Sequence, residues 1–217
     1  ERGYIKEAKA KILKSTITLL AGSAGSGKTL LACQIALEKL FMRECDKIII
    51  TRPTVSKEEI GFLPGDLREK MDPWVQPIYQ NMYALYDKVK IEKLISDGAI
   101  EIVPVSFMRG RTFLDSVVIV DEAQNVTHEQ MQMIVTRIGL RSKMIVCGDD
   151  HQVDLKSKRD SGFRFLYTAA RKIKNMVGIS LVTNHRDPIV EDLINLYDEA
   201  EENGLDLGTS GSSNKRK

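Results

Sequence analysis

Short apolar, strand-prone runs punctuate the chain at Ile17–Leu20, Ile48–Thr51, Ile100–Val103, Val117–Val120, Met144–Cys147 and Gly178–Val182. Polar residues do not alternate within most of them, so both faces of each run expect cover. Between most runs, apolar residues recur at three- and four-residue spacing, over Gly27–Met42, Pro77–Tyr86, His128–Ile138, Gly162–Lys172 and Ile189–Glu201. That is the period of a helix with one buried face. Buried strands alternating with helices predict an α/β fold, a parallel sheet covered by helices on both faces. The interval from Arg52 to Ser96 is the longest between strand candidates. It contains Pro53, Pro64, Pro73 and Pro77, and reads as loops and helices decorating the sheet edge. No internal repeat is visible. From Asn203 the chain turns to Gly, Ser and terminal Lys-Arg-Lys, which predicts one domain over residues 1–202 and a flexible tail over 203–217.

The first apolar run leads into Gly22, Ser23, Ala24, Gly25, Ser26, Gly27, Lys28 and Thr29, which fits G-x-x-x-x-G-K-[ST]. A helical pattern follows at once, and strand, glycine loop and helix together are what separates this motif from a chance glycine-rich turn. The glycines let backbone N–H groups and a helix N-terminus surround a phosphate. Lys28 is then expected to reach the β- and γ-phosphates, and the Thr29 hydroxyl to bind Mg²⁺. The fourth run ends in Asp121-Glu122-Ala123-Gln124. Ligands of parallel sheets bind beyond the carboxyl ends of the strands, so Asp121 is expected to hold Mg²⁺ beside the loop. Glu122 is placed to orient or deprotonate an attacking water. A helix N-cap explains one such carboxylate, not an adjacent pair. The fifth run leads to Gly148-Asp149-Asp150-His151-Gln152, where the Gln152 amide could sense a γ-phosphate. A metal site at Asp149, Asp150 and His151 is disfavoured, since His128 and His185 have no ligand-like spacing.

Composition changes this picture little. Of 217 residues, 42% are hydrophobic, which suffices for a core and excludes a wholly disordered chain. A net charge of +2 leaves any nucleic-acid contact to a local patch. Cys33, Cys45 and Cys147 are too few and scattered for a disulfide framework or zinc knuckle, and predict core residues in a reducing cytoplasm. No run is long enough to span a bilayer and no signal peptide is visible, although the chain begins at Glu1 rather than Met. Candidates for the cation that offsets charge on the γ-phosphate are Arg186, after the last run, and Arg109 and Arg111, which flank Gly110. The latter two suit either a sensor, supplied in cis or in trans, or a nucleic-acid contact. Trp74, Tyr79 and Tyr83 could stack on bases, but helical spacing nearby favours the core.

The loop, Asp121–Gln124 and Gly148–Gln152 together resemble motifs I, II and III of superfamily 1 helicases. A fuller resemblance is to PhoH-like proteins, named for induction under phosphate starvation. It is carried by Ile50-Thr51-Arg52-Pro53, Gly61-Phe62-Leu63-Pro64-Gly65-Asp66-Leu67 with Glu69-Lys70, Asp72-Pro73-Trp74 and Arg109-Gly110-Arg111-Thr112, and covers roughly Tyr4 to Glu202. The resemblance implies a P-loop NTPase with a single RecA-like core, ATP and Mg²⁺ as its nucleotide and metal, and a homo-oligomeric ring, commonly a hexamer. It also implies coupling to single-stranded RNA or DNA, with RNA favoured. In related helicases the position of Arg52 faces nucleic acid, which makes Arg52, with Lys57, a phosphate-contact candidate. The chain departs from the family's pattern in three places. No Gln precedes the loop to read adenine, Ser26 replaces the usual threonine, and His185-Arg186-Asp187-Pro188 stands where Arg-His-Pro is usual.

The reading is thus a Mg²⁺-dependent ATPase in which Lys28, Glu122, Gln152 and Arg186 are catalytic and Thr29 and Asp121 hold the metal. Two rivals remain at this point: a P-loop kinase, and a non-catalytic ATP-binding switch that assembles a partner.

Overall fold

The computed structural model describes residues 2–53, 67–149 and 158–181, together with Ile189, Leu193, Leu196 and Tyr197. Gln152, Arg186, Lys57, Asp150, His151 and the tail over 203–217 lie outside the described residues. The chain divides into two compact units, Glu1–Asn184 and His185–Lys217. In the second, Ile189, Leu193, Leu196 and Tyr197 are helical and exposed, at the spacing expected there.

In the first unit the strands are β1 (Ile17–Ala21), β2 (Lys47–Thr51), β3 (Ile100–Ile102), β4 (Ser116–Val120), β5 (Lys143–Gly148) and β6 (Met176–Ser180). All pair in parallel, in the order β3-β2-β4-β5-β1-β6. The helices are α1 (Arg2–Lys14), α2 (Lys28–Phe41), α3 (Leu67–Leu85), α4 (Lys88–Ser96), α5 (His128–Val135) and α6 (Gly162–Ala169).

Strand alternation sends successive side chains to opposite faces. Leu20, Ile48, Ile50, Val117, Ile119, Ile145 and Cys147 pack with buried residues of α1 to α4, among them Ile12, Leu31, Ile35, Ile78 and Ile91. Their neighbours Leu19, Ile49, Val118, Val120, Met144 and Val146 pack with Met131 and Ile134 of α5 and Phe163 of α6. Each large apolar side chain removed from water contributes about 1.5–3 kcal/mol, so both layers bind the sheet. A parallel sheet covered by helices on both faces is the α/β arrangement expected.

Several boundaries differ from the sequence pattern. The final strand lies two residues earlier than Gly178–Val182, because the apolar run continues past its last sheet pairing into buried Leu181. Helix α1 was not expected, and the structure seats its Ala8 and Ile12 in the core. The expected helix from Pro77 begins ten residues sooner, at Leu67, and runs through Pro73 and Pro77. A proline within a helix removes one N–H but does not end it when packing holds both sides, here through buried Val75, Ile78, Tyr79 and Met82.

Candidate nucleotide site

The loop leaves β1 at Ala21. A side chain at Gly22 would place its Cβ 2.6 Å from Ser26 Oγ and 2.7 Å from the Leu181 carbonyl oxygen, so glycine alone lets the loop press against the chain beyond β6. Gly25 and Gly27 both have φ of 83°, a left-handed backbone that glycine adopts without steric cost. Gly27 occupies the cap position of α2 and brings no side chain of its own there. The first amides of α2 are therefore available to an anion. Lys28 Nζ donates to the Gly22 carbonyl at 2.6 Å and the Ser23 carbonyl at 2.8 Å, and lies 3.4 Å from Ser26 Oγ. The ammonium thus holds the mouth of the loop.

Strand order puts β4 two positions from β1, with β5 between them. The parallel direction of all three brings their carboxyl ends to one edge of the sheet. There Thr29 Oγ1 donates to Asp121 Oδ1 at 2.8 Å. Asp121 is buried, and its N–H donates to the Thr51 carbonyl at the end of β2 at 3.0 Å. Burial raises the Asp121 carboxyl above its usual range; Arg52 opposes that shift, Glu122 adds to it and the Thr29 hydrogen bond opposes it. A hydroxyl and a carboxylate oxygen converging in this way form a hard-oxygen pair, which suits Mg²⁺ that keeps waters and takes phosphate oxygens. Among the described residues no cluster of three or more His, Cys, Asp or Glu side chains competes as a metal site.

Glu122 adopts φ of 51°, a left-handed backbone rare for a side chain of its size. Its oxygens are both engaged. Arg52 Nη2 donates to Oε1 at 3.0 Å, and Gln124 Nε2 donates to Oε2 at 2.6 Å. Gln124 is buried, and its Oε1 accepts the Asp149 N–H, just beyond β5, at 3.0 Å. The carboxylates do not cap the next helix. Glu122 makes no cap bond, and α5 is closed by a capping box in which Thr127 and Gln130 exchange backbone-to-side-chain hydrogen bonds.

Arg52 lies beside both carboxylates, with its side chain only 16% exposed. Besides Glu122, its Nη1 donates to the Trp74 carbonyl of α3 at 2.7 Å, and its Nε lies 3.6 Å from Asp121 Oδ2. The other arginines part company. Arg111 makes a two-pronged pair with Glu101 at 2.8 and 3.2 Å and sits over the Phe113 ring, so Glu101 is held below the usual carboxylate range. Arg109 is 77% exposed and lies 3.7 Å from Glu129. Tyr79 is buried in the core and Tyr83 packs against it, as their helical spacing suggested, whereas Trp74 is only half-buried. Sequence reasoning named neither the Gln124 bridge nor the partners of Arg52. Gln124, two residues after Glu122, was the one signal available.

A model of the PhoH-like protein family matches residues 4–198 of this chain. The chain belongs to the PhoH-like family. It is 41% identical over 206 residues to a PhoH-like protein of Synechocystis, covering 93% of this chain and 61% of that protein. To the PhoH-like protein of Bacillus subtilis it is 42% identical over 200 residues, 89% of this chain and 62% of that protein. To protein PhoH of Escherichia coli it is 41% identical over 155 residues, 70% and 43% respectively. The chain therefore spans about three fifths or less of the length of these curated family members. Among solved structures it is similar to the Pif1 helicase from Candida albicans, with TM-score 0.44 and 16% identity over 88% of this chain and 42% of that one. The Bacteroides Pif1 bound to ssDNA gives TM-score 0.44 and 14% identity, over 96% and 50%. Among the described residues of this chain, no helix is long and apolar enough to cross a membrane.

Proposed function

We propose that this chain hydrolyses ATP with Mg²⁺ and couples that hydrolysis to single-stranded RNA or DNA, working as a single RecA-like ATPase domain in a homo-oligomeric ring. The observation that carries the reading is the 2.8 Å contact between Thr29 Oγ1 and Asp121 Oδ1, which joins the glycine loop to the carboxylate pair. Loop amides and Lys28 bind the phosphates, with Lys28 exchanging the Gly22 and Ser23 carbonyls for phosphate oxygens. Thr29 and Asp121 hold Mg²⁺, which when bound offsets charge on the phosphates. Glu122 orients the attacking water and accepts its proton. Gln152 senses the γ-phosphate. Arg186 in cis, or Arg109 from a neighbouring subunit, offsets charge developing in the transition state. Exposed Arg109 is equally suited to a nucleic-acid phosphate, and the free cysteines suit a reducing cytoplasm.

The test is ATP turnover with Mg²⁺, with and without single-stranded RNA and DNA, and with Glu122→Gln as control. Turnover that the strand stimulates and Glu122→Gln abolishes is expected. Tight ATP binding with negligible turnover in every arm refutes it and favours the assembly switch. Phosphate transfer to a hydroxyl acceptor in place of water favours the kinase.

A further inference from the structure

Glu122 is the base in the reading above, yet both of its carboxylate oxygens are occupied by donors, one of them a guanidinium. Each oxygen so engaged has a donor standing where an attacking water would have to bind. The guanidinium is itself poorly satisfied. Arg52 Nε is buried and makes no hydrogen bond among the described residues; Asp121 Oδ2, at 3.6 Å, is within ion-pair range but too far to accept one. A buried donor left unpaired carries a penalty that a better acceptor removes. The fork also ties two elements together, since it spans the end of β4 and, through the Trp74 carbonyl, α3.

We propose that Arg52 is a positioning residue that latches Glu122 away from water, and that a phosphate oxygen opens the latch by drawing the guanidinium off. Phosphate and carboxylate compete for the same bidentate face of arginine, and phosphate matches it fully. When the fork leaves, Glu122 keeps Gln124 on Oε2 and frees Oε1 for water. The phosphate comes either from bound nucleotide or from a nucleic-acid backbone. The inference rests on the ATPase reading for its consequence, but not for the latch itself.

Trp74 is the one tryptophan of the chain, so its emission reads the surroundings of the residue whose backbone carbonyl holds Arg52. Wild-type protein is titrated separately with a non-hydrolysable ATP analogue plus Mg²⁺ and with a single-stranded oligonucleotide. Trp74 emission is expected to shift in at least one arm, and that arm names the source of the phosphate. Arg52→Gln is expected to start at the shifted emission and to hydrolyse ATP several-fold faster than wild type without a strand. Its KM should change little, because the latch restrains the base and not the loop. Arg52→Lys, which keeps charge without the fork, serves if Arg52→Gln fails to melt cooperatively, and is expected to be faster than wild type by a smaller factor. The latch is overturned if neither phosphate moves Trp74 emission. It is also overturned if the Arg52 variant binds nucleotide but turns over no faster than an active wild type. Absence of turnover in wild type and variant alike refutes the ATPase reading, and leaves the emission arms to decide the latch.

Discussion

Replacing Gly22 by alanine separates the role of this glycine in packing from its role in the loop's chemistry. The added Cβ would stand 2.6 Å from Ser26 Oγ and 2.7 Å from the Leu181 carbonyl oxygen, where ordinary contact begins at 3.4 Å. Ser26 is fully buried, and the Leu181 N–H is held by the Ala21 carbonyl at 2.7 Å, so neither neighbour can retreat freely. The loop must shift by most of the overlap instead. Overpacking of this kind costs about 1–3 kcal/mol. In a domain of this size that lowers Tm by about 2–12 °C. The same shift displaces the carbonyls and amides around Lys28. If it withholds about 1.4 kcal/mol from the phosphates, nucleotide affinity falls about tenfold. Gly98 is the control. It has φ of 74° but open space within 4 Å of where a Cβ would sit, so Gly98→Ala meets only the left-handed penalty, about 1–2 kcal/mol. Thermal melts and titration with a fluorescent ATP analogue should therefore diverge. Both variants melt early, and only Gly22→Ala binds nucleotide weakly. Wild-type affinity and Tm in Gly22→Ala would refute the packing argument.

Lys143, at the start of β5, is buried and donates to the Ile12, Leu13 and Ser15 carbonyls at the end of α1, and burial pushes it down to about 8 from 10.5. Between those pH values the unfolded chain holds a proton that the folded chain has released, so this residue adds stability as pH rises through the window. After allowance for its hydrogen bonds and partial screening, urea melts of wild type against Lys143→Met should gain about 1–2 kcal/mol in wild type's favour from pH 7 to 9.5, and parallel profiles would refute the assignment. The three cysteines are all buried, with Cys33 and Cys147 pushed well above the ordinary thiol range by desolvation. A thiol-specific disulfide reagent at pH 8 is expected to label none of them in the folded protein and all of them in denaturant. Rapid labelling of Cys33 or Cys147 without unfolding would contradict their burial.

Much of the sheet was legible because its strands are apolar on both faces and bounded by turn residues, as Val117–Val120 and Met144–Cys147 illustrate. The loop was legible because its chemistry is local: Gly22 to Thr29 specify their own backbone. Helix α1 was missed although Ile5, Ala8 and Ile12 repeat at helical spacing, because lysines outnumber apolar residues around them. The start of α3 was missed because Pro73 and Pro77 read as breakers, while the packing that overrides them comes chiefly from α2, distant in sequence. Helix α4 has only Ile91 and Ile95 on its buried face, with Asp87 accepting from the Lys90 N–H as its start signal. At the site, the sequence named both carboxylates but not what holds them. The Arg52–Glu122 pair joins residues 70 positions apart, and Gln124 meets Asp149 across 25. Such contacts follow from strand order, which no local pattern encodes.

The left-handed backbone at Glu122 has an implication for how such chains drift. A glycine or asparagine would sit at that φ with less strain, by about a kilocalorie per mole. Selection for durability alone would therefore pull position 122 towards those residues, and the hydrolysis proposed above would oppose that drift by its need for the acid. Among descendants of this fold, glycine at that position would mark lineages released from catalysis that kept the scaffold. A laboratory library screened only for heat resistance should reach the same place within a few rounds.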